Sequence, residues 1–196
     1  MLRIATVVLA SMIVAWVCTQ PQAENDFWLL ARIGAWTFEH QSIPQQLVFP
    51  FTEAQYFHYN AHEWLAALFL HALDRLFTQD SLALVSGGLG LALFAAVTYM
   101  AYVRSNKRLS TALALGVLAM LAENYRHFLR PELITLFYLI ALLILLEKLT
   151  QAISLYKLLL LFLLVTLWAN THGSFVLALP LSFVFALDRI HHTTIS

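Results

Sequence analysis

The chain has 196 residues, 61% of them hydrophobic and 11% charged, with a formal net charge of zero and a mean hydropathy of +0.75. A charged fraction so far below the roughly 25% of soluble domains predicts an integral membrane protein, and without a basic block the chain offers nucleic acid no binding surface. The single cysteine, Cys18, excludes an internal disulfide framework and a Cys-based zinc site.

From the N-terminus, Arg3 and the apolar run up to Thr19 have the charge and length of a secretory signal. Pro21-Gln-Ala23 makes a poor small-x-small cleavage site, so the run reads as a retained anchor, with the next segment outside the cytoplasm. Cys18, preceded by bulky Trp16, reads as an apolar helix residue rather than a lipoprotein site. Runs of about 17 to 25 apolar residues are needed to cross a bilayer. The candidates, some extending into their flanks, are 2–19, 81–103, 109–123, 133–147, 156–170 and 174–188.

The stretch 61–77 decides the topology. It carries His62, Glu63, His71, Asp74 and Arg75, which are costly in hydrocarbon, so it is expected to lie in the interface. With that choice Arg3, Arg104, Lys107, Arg108, Lys148, Lys157 and Arg189 fall on the cytoplasmic side, as the positive-inside tendency requires. A spanning 61–77 would move Arg104, Lys107 and Arg108 outside. The expected fold is therefore an all-α integral membrane protein, a single module over 1–196. It has six transmembrane helices, both termini cytoplasmic, and two juxtamembrane helices in a large first outer loop over about 20–80.

Within that loop, Asn25 or Asp26 can cap a helix running to about Glu39, where Ser42-Ile-Pro44 ends it. Asn60 can cap the second helix, with Glu63 in capping-box register. Gln45 to Tyr59 reads as irregular and aromatic-rich. Gly87, Gly88 and Gly90 would allow close helix packing in the next segment.

This topology collects the polar residues on the outer face. Asp26 could serve as general base toward an acceptor hydroxyl, or bind a divalent cation that bridges a phosphate leaving group, the one cofactor the pattern suggests. Glu63 is a second candidate acid, although the capping box would account for it, and His62 beside it could line the pocket. Arg126 and Arg130 lie between two spans, where guanidinium groups could hold a phosphate, with ion pairing of Arg130 to Glu132 or Glu123, or lipid headgroup contact, as the alternatives. Pro131 suits a first helical turn and leaves Glu132 near a helix N-terminus. In Trp168-Ala-Asn-Thr-His-Gly-Ser174, boundary and turn roles explain Trp168 and Gly173 but leave Asn170 and His172 over. No Gly-rich phosphate loop, zincin motif or nucleophile elbow is present.

Asp26-Phe-Trp28, Gly34-Ala-Trp36, Ile43-Pro44, His62-Glu-Trp-Leu65, Arg130-Pro131 and Trp168-Ala-Asn-Thr-His-Gly173 follow one another in that order. Together they resemble the N-terminal membrane module of bacterial GT-C-type glycosyltransferase-like proteins, relatives of the protein mannosyltransferase and aminoarabinose transferase group. The resemblance implies juxtamembrane helices in a large first loop that faces the periplasm or exterior of a bacterial inner membrane. It also implies transfer of a sugar from a polyprenyl-phosphate donor, usually with inversion, to a lipid, protein or glycan acceptor. By this likeness Asp26 is the first-loop acid, acting as base or metal ligand, and Glu132 approximates the acid of the next outer loop. The Asp-Glu dipeptide of some members is absent here, since Phe27 follows Asp26, and members are commonly longer. The competing expectation is a non-catalytic subunit or truncated module that docks with a larger partner supplying the missing helices. A transporter fits less well, because ionisable residues gather at the ends of the spans.

Overall fold

The computed structural model describes residues 2–18, 25–49, 58–123 and 129–195. The described residues form helices α1 (Leu2–Cys18), α2 (Asn25–His40), α3 (Trp64–Leu76), α4 (Gln79–Arg104), α5 (Leu109–Glu123), α6 (Pro131–Gln151), α7 (Leu155–Ala169) and α8 (Ala178–Ile195). A 3₁₀ turn at Gly173–Leu177 leads into α8. The described residues include no strand, only one isolated antiparallel bridge between Gln46 and His58 in the first loop. Three helical stretches, Gln79–Arg104, Pro131–Gln151 and Gly173–Ile190, are long and apolar enough to cross a membrane. Helices α5 and α7 are apolar but shorter, 15 residues each, which reaches about 22 Å at the usual helical rise.

The chain divides into two compact units. In the first, α4 packs against α1 and α5. Thr78 precedes α4 with an extended backbone, and its hydroxyl accepts from the Ser81 N–H, satisfying one of the orphan donors of the first turn. Gly116 of α5 sits against α4, where a Cβ would overlap the Thr98 hydroxyl and the Phe94 ring. Gly87 and Gly90 are buried as the packing expectation requires, whereas Gly88 faces open space.

The second unit holds α2, most of α3, and α6 to α8. Its core is Leu142, Leu145, Leu146 and Leu149 of α6 with Trp168 and Ala178. The outward residues of α7 and α8, among them Phe162, Leu163, Leu179 and Phe183, are large, apolar and exposed. In water that surface would be costly, whereas lipid tails solvate it without penalty.

Helix α6 starts at Pro131, whose fixed φ and missing N–H suit the first helical position. Its far end is finished by two cations. Lys157 Nζ donates to the Lys148 and Ala152 carbonyls at 2.7 and 2.6 Å, and Arg189 Nη1 donates to Leu149 and Thr150 at 2.7 Å each. Two of the basic residues counted toward the cytoplasmic face are thus also helix C-caps.

Helix α2 buries Phe27, Leu30, Ala31 and Gly34 on one face, the i, i+3, i+4, i+7 spacing of an amphipathic helix. It stops where Gln41 takes a positive φ of 50°. Helix α3 lays Ala66, Ala67 and Leu70 inward. A Cβ on Gly34 would overlap the Ala67 carbonyl oxygen, so glycine is what lets α2 and α3 approach here.

The capping-box expectation for Glu63 is corrected. With Asn60 as cap the helix would begin at Ala61, but it begins three residues later, at Trp64, and the Glu63 carbonyl accepts the first bond of the ladder from Ala67 N at 2.9 Å. Glu63 is therefore the flanking residue, not the third of the helix, and its carboxylate turns toward histidines.

Candidate active site around Glu63

The site lies within the second unit and is built on the segment leaving α7. Thr171 N and His172 N both bond the Trp168 carbonyl at 2.9 Å, which turns the chain sharply. The Trp168 indole is buried and stacks on Tyr138 of α6, with centroids 6.0 Å apart and planes 12° apart. The Thr171 hydroxyl donates to Leu167 O at 2.8 Å and lies 3.2 Å from the Tyr138 hydroxyl. These contacts lock the turn to α6.

Asn170 then clamps α3 to this turn. Its Oδ1 accepts from Trp64 Nε1 at 2.7 Å, its backbone carbonyl accepts from Leu65 N at 3.1 Å, and its Nδ2 donates to Thr166 O at 2.7 Å. The side chain that boundary and turn roles left unexplained is occupied in holding two helices together. The clamp also sets Glu63, the residue before Trp64, beside His172.

His172 Nε2 lies 3.5 Å from Glu63 Oε1 and 3.8 Å from Glu132 Oε1. The other ring nitrogen decides the tautomer. Nδ1 accepts from the Ser174 backbone N–H at 3.1 Å, and a backbone N–H can only donate. The proton of the neutral ring therefore sits on Nε2, aimed at the two carboxylates. The Ser174 hydroxyl, 2.8 Å from Nδ1, also accepts from Trp168 Nε1 at 3.1 Å, so the buried indole holds the ring in place.

His62 has the opposite assignment. Its Nδ1 is 3.2 Å from the Asn60 carbonyl, which can only accept, so Nδ1 carries a proton. In the neutral ring Nε2 is then bare, and it stands 3.6 Å from Glu63 Oε1. A lone pair facing a carboxylate is favourable only with a proton between them, on the ring or on the acid.

The Glu63 side chain between the two histidines is only 24% exposed. Burial pushes its carboxyl above the usual 4.5, His172 and His62 pull it partly back, and Glu132 and Asp26 push it further up. Tyr59 belongs to the same field, its phenol raised by burial and by the Glu63 charge.

Asp26, in the first turn of α2, takes Arg130 as an ion-pair partner, Nη2 to Oδ2 at 3.1 Å. The structure thus brings Asp26, His62, Glu63, Arg130, Glu132, Asn170 and His172 into one unit, while Arg126 lies outside the described residues. The arrangement does not fit a divalent cation. Asp26 faces a guanidinium, the tautomer makes His172 Nε2 a donor rather than a ligand, and no group of three His, Cys, Asp or Glu side chains among the described residues is placed to hold one.

Trp64 and Ser174 were not among the residues expected to matter. Ser174, two positions past His172 in a glycine-containing turn, is within the reach of a local side-chain bond, a signal available in the sequence. The Trp64 bond to Asn170 has no local signature. Compared with known proteins, the chain matches no family model, no curated protein and no solved structure.

Proposed function

We propose that this chain is a GT-C-like glycosyltransferase module, crossing the membrane six times with its first loop on the non-cytoplasmic face, and that Glu63 is its general base. The observation that carries this reading is the partly buried Glu63 carboxyl set between two imidazoles, 3.5 and 3.6 Å away. A carboxyl raised above its ordinary value suits a base working on a hydroxyl better than an ordinary exposed acid does. Asp26, paired with Arg130, suits positioning rather than proton transfer.

In the proposed reaction Glu63 takes the proton of the acceptor hydroxyl. The acceptor oxygen bonds the anomeric carbon as the carbon–oxygen bond to phosphate breaks, and the electron pair leaves on polyprenyl phosphate. Arg130 receives the developing phosphate charge, with Asp26 holding the guanidinium in orientation. His172 fixes the carboxylate through Nε2–H, and Glu132 keeps Glu63 basic.

The test is the reconstituted full chain, supplied with a polyprenyl-phosphate hexose radiolabelled in the sugar and with lipid and glycan acceptors. Release of polyprenyl phosphate and of labelled acceptor is measured. Glu63→Gln is expected to lower transfer about 100-fold or more, the usual contribution of a positioned base. Undiminished transfer in that variant removes Glu63 from the role. A wild-type chain that turns over no donor with any acceptor sinks the transferase reading and leaves the docking module.

A further inference from the structure

The first unit contains a cleft of about 930 Å³ between α1, α4 and α5, and none of its lining residues has a role assigned above in the Glu63 site. Its walls are mostly apolar, with Val7 of α1, Leu91 and Phe94 of α4 and Leu113 of α5, and with Thr6, Ser11 and Thr98 among them. Lys107 and Arg108 line it where α4 turns into α5, and no acidic residue is among the described residues lining it. Tyr102 and Ser110 add hydroxyl donors.

From this we infer that the cleft binds a membrane lipid with an anionic phosphate headgroup. Charge complementarity names the headgroup. Arg104, Lys157 and Arg189 spend hydrogen bonds on backbone carbonyls, and Arg130 is paired with Asp26. Among the described residues the side chains of Lys107 and Arg108 have no such partner. The turn that carries them holds Asn106 and Lys107 at φ of 53° and 62°, a left-handed conformation that a lysine rarely adopts. The same turn delivers the first N–H groups of α5 beside the cations, which adds to the attraction for phosphate. The walls name the rest of the ligand. A free phosphate would leave the apolar lining at Val7 and Leu91 unused, whereas an acyl chain covers it.

The experiment uses the full chain extracted from bilayers of equal phosphatidylcholine and phosphatidylglycerol, with retained lipids counted by native mass spectrometry. Selective retention of phosphatidylglycerol is expected. The Lys107→Gln and Arg108→Gln variants should each lose about fivefold of that preference, the effect of one cation near an anionic headgroup. Ala95→Trp, which fills the cleft without changing charge, should release the lipid. Equal retention of the two lipids by the wild type, or a preference unchanged in the Lys107→Gln, Arg108→Gln double variant, overturns the site. Full retention in Ala95→Trp reduces it to a surface charge patch and overturns the cleft. Displacement of phosphatidylglycerol by soluble glycerol phosphate at equal concentration overturns the lipid as ligand.

Discussion

Trp64 and Asn170, 106 positions apart in the chain, are joined by a 2.7 Å hydrogen bond from the indole Nε1 to the amide Oδ1. The bond ties the start of α3 to the end of α7 and so sets the distance between Glu63 and His172. Asn170→Ala removes the acceptor of the part-buried indole and the donor to Thr166, while the Leu65 N bond to the Asn170 backbone survives. A loss of about 1–3 kcal/mol is expected, the cost of leaving a buried donor without its partner. Thermal unfolding in mild detergent checks the stability. Transfer assays check the corollary that activity falls further than stability, because Glu63 and His172 drift apart.

The raised carboxyl of Glu63 gives stability a pH dependence whose sign is fixed. The folded state binds the Glu63 proton more tightly than the unfolded chain, so the stabilising contribution is full below the ordinary 4.5 and is lost as pH rises through the raised folded value. Above that value the ionised, partly buried acid makes no favourable contribution. Glu63→Gln should therefore flatten the fall in stability in that window, which unfolding midpoints measured across pH will show.

If Glu63 is the proposed base, it sets the acid limb of activity above pH 4.5, and its neighbours move that limb in opposite directions. Removing a histidine that pulls the carboxyl down, as in His172→Ala, should shift the limb to higher pH. Removing a carboxylate that pushes it up, as in Glu132→Gln, should shift it to lower pH. Limbs that move together, or not at all, would count against Glu63 as the group that titrates.

What was legible in the sequence follows physical range. Apolar runs between polar residues gave the helices closely: 109–123 agrees with α5, and 2–19 with Leu2–Cys18. Helix α6 runs to Gln151 rather than 147, because Lys157 and Arg189 reach back to cap carbonyls that the apolar pattern does not mark. Glu63 was misread by a local rule: Asn60 and Glu63 stand at capping-box spacing, yet the chain turns at His62-Glu63 and the helix starts after them. The Asp26–Arg130 and Trp64–Asn170 contacts cross the chain, and spacing along a sequence carries no distance between segments that far apart.

The Asp26–Arg130 pair separates two roles for Asp26. Its carboxylate is 58% exposed, so breaking the pair should cost only about 0–1 kcal/mol of stability. If Asp26 positions Arg130 for phosphate, Asp26→Asn raises KM for the donor and leaves the acid limb of the pH profile in place. If Asp26 is itself the base, that variant removes the limb and lowers kcat. Steady-state kinetics of Asp26→Asn beside Arg130→Lys, which keeps the charge but loses the planar fork, distinguishes the two.

Gly34 and Gly116 are both points of close helix approach, but they fail differently when filled. A Cβ at Gly34 meets the backbone of Ala67 and comes within 2.9 Å of His71 Cβ, atoms that cannot rotate away, so α3 must shift. That helix begins at Trp64, beside Glu63, and the shift carries the Glu63 carboxyl off its histidines. At Gly116 the Cβ meets the Thr98 hydroxyl and the Phe94 ring, side chains that have rotamers to yield, in the unit that does not contain Glu63. Gly34→Ala should therefore cost about 1–3 kcal/mol, as overpacking does, and abolish transfer. Gly116→Ala should lower the unfolding midpoint by less and leave transfer intact. Unfolding and transfer assays on both variants decide this, and a Gly34→Ala chain that keeps full activity would show that the α2–α3 contact does not hold the site.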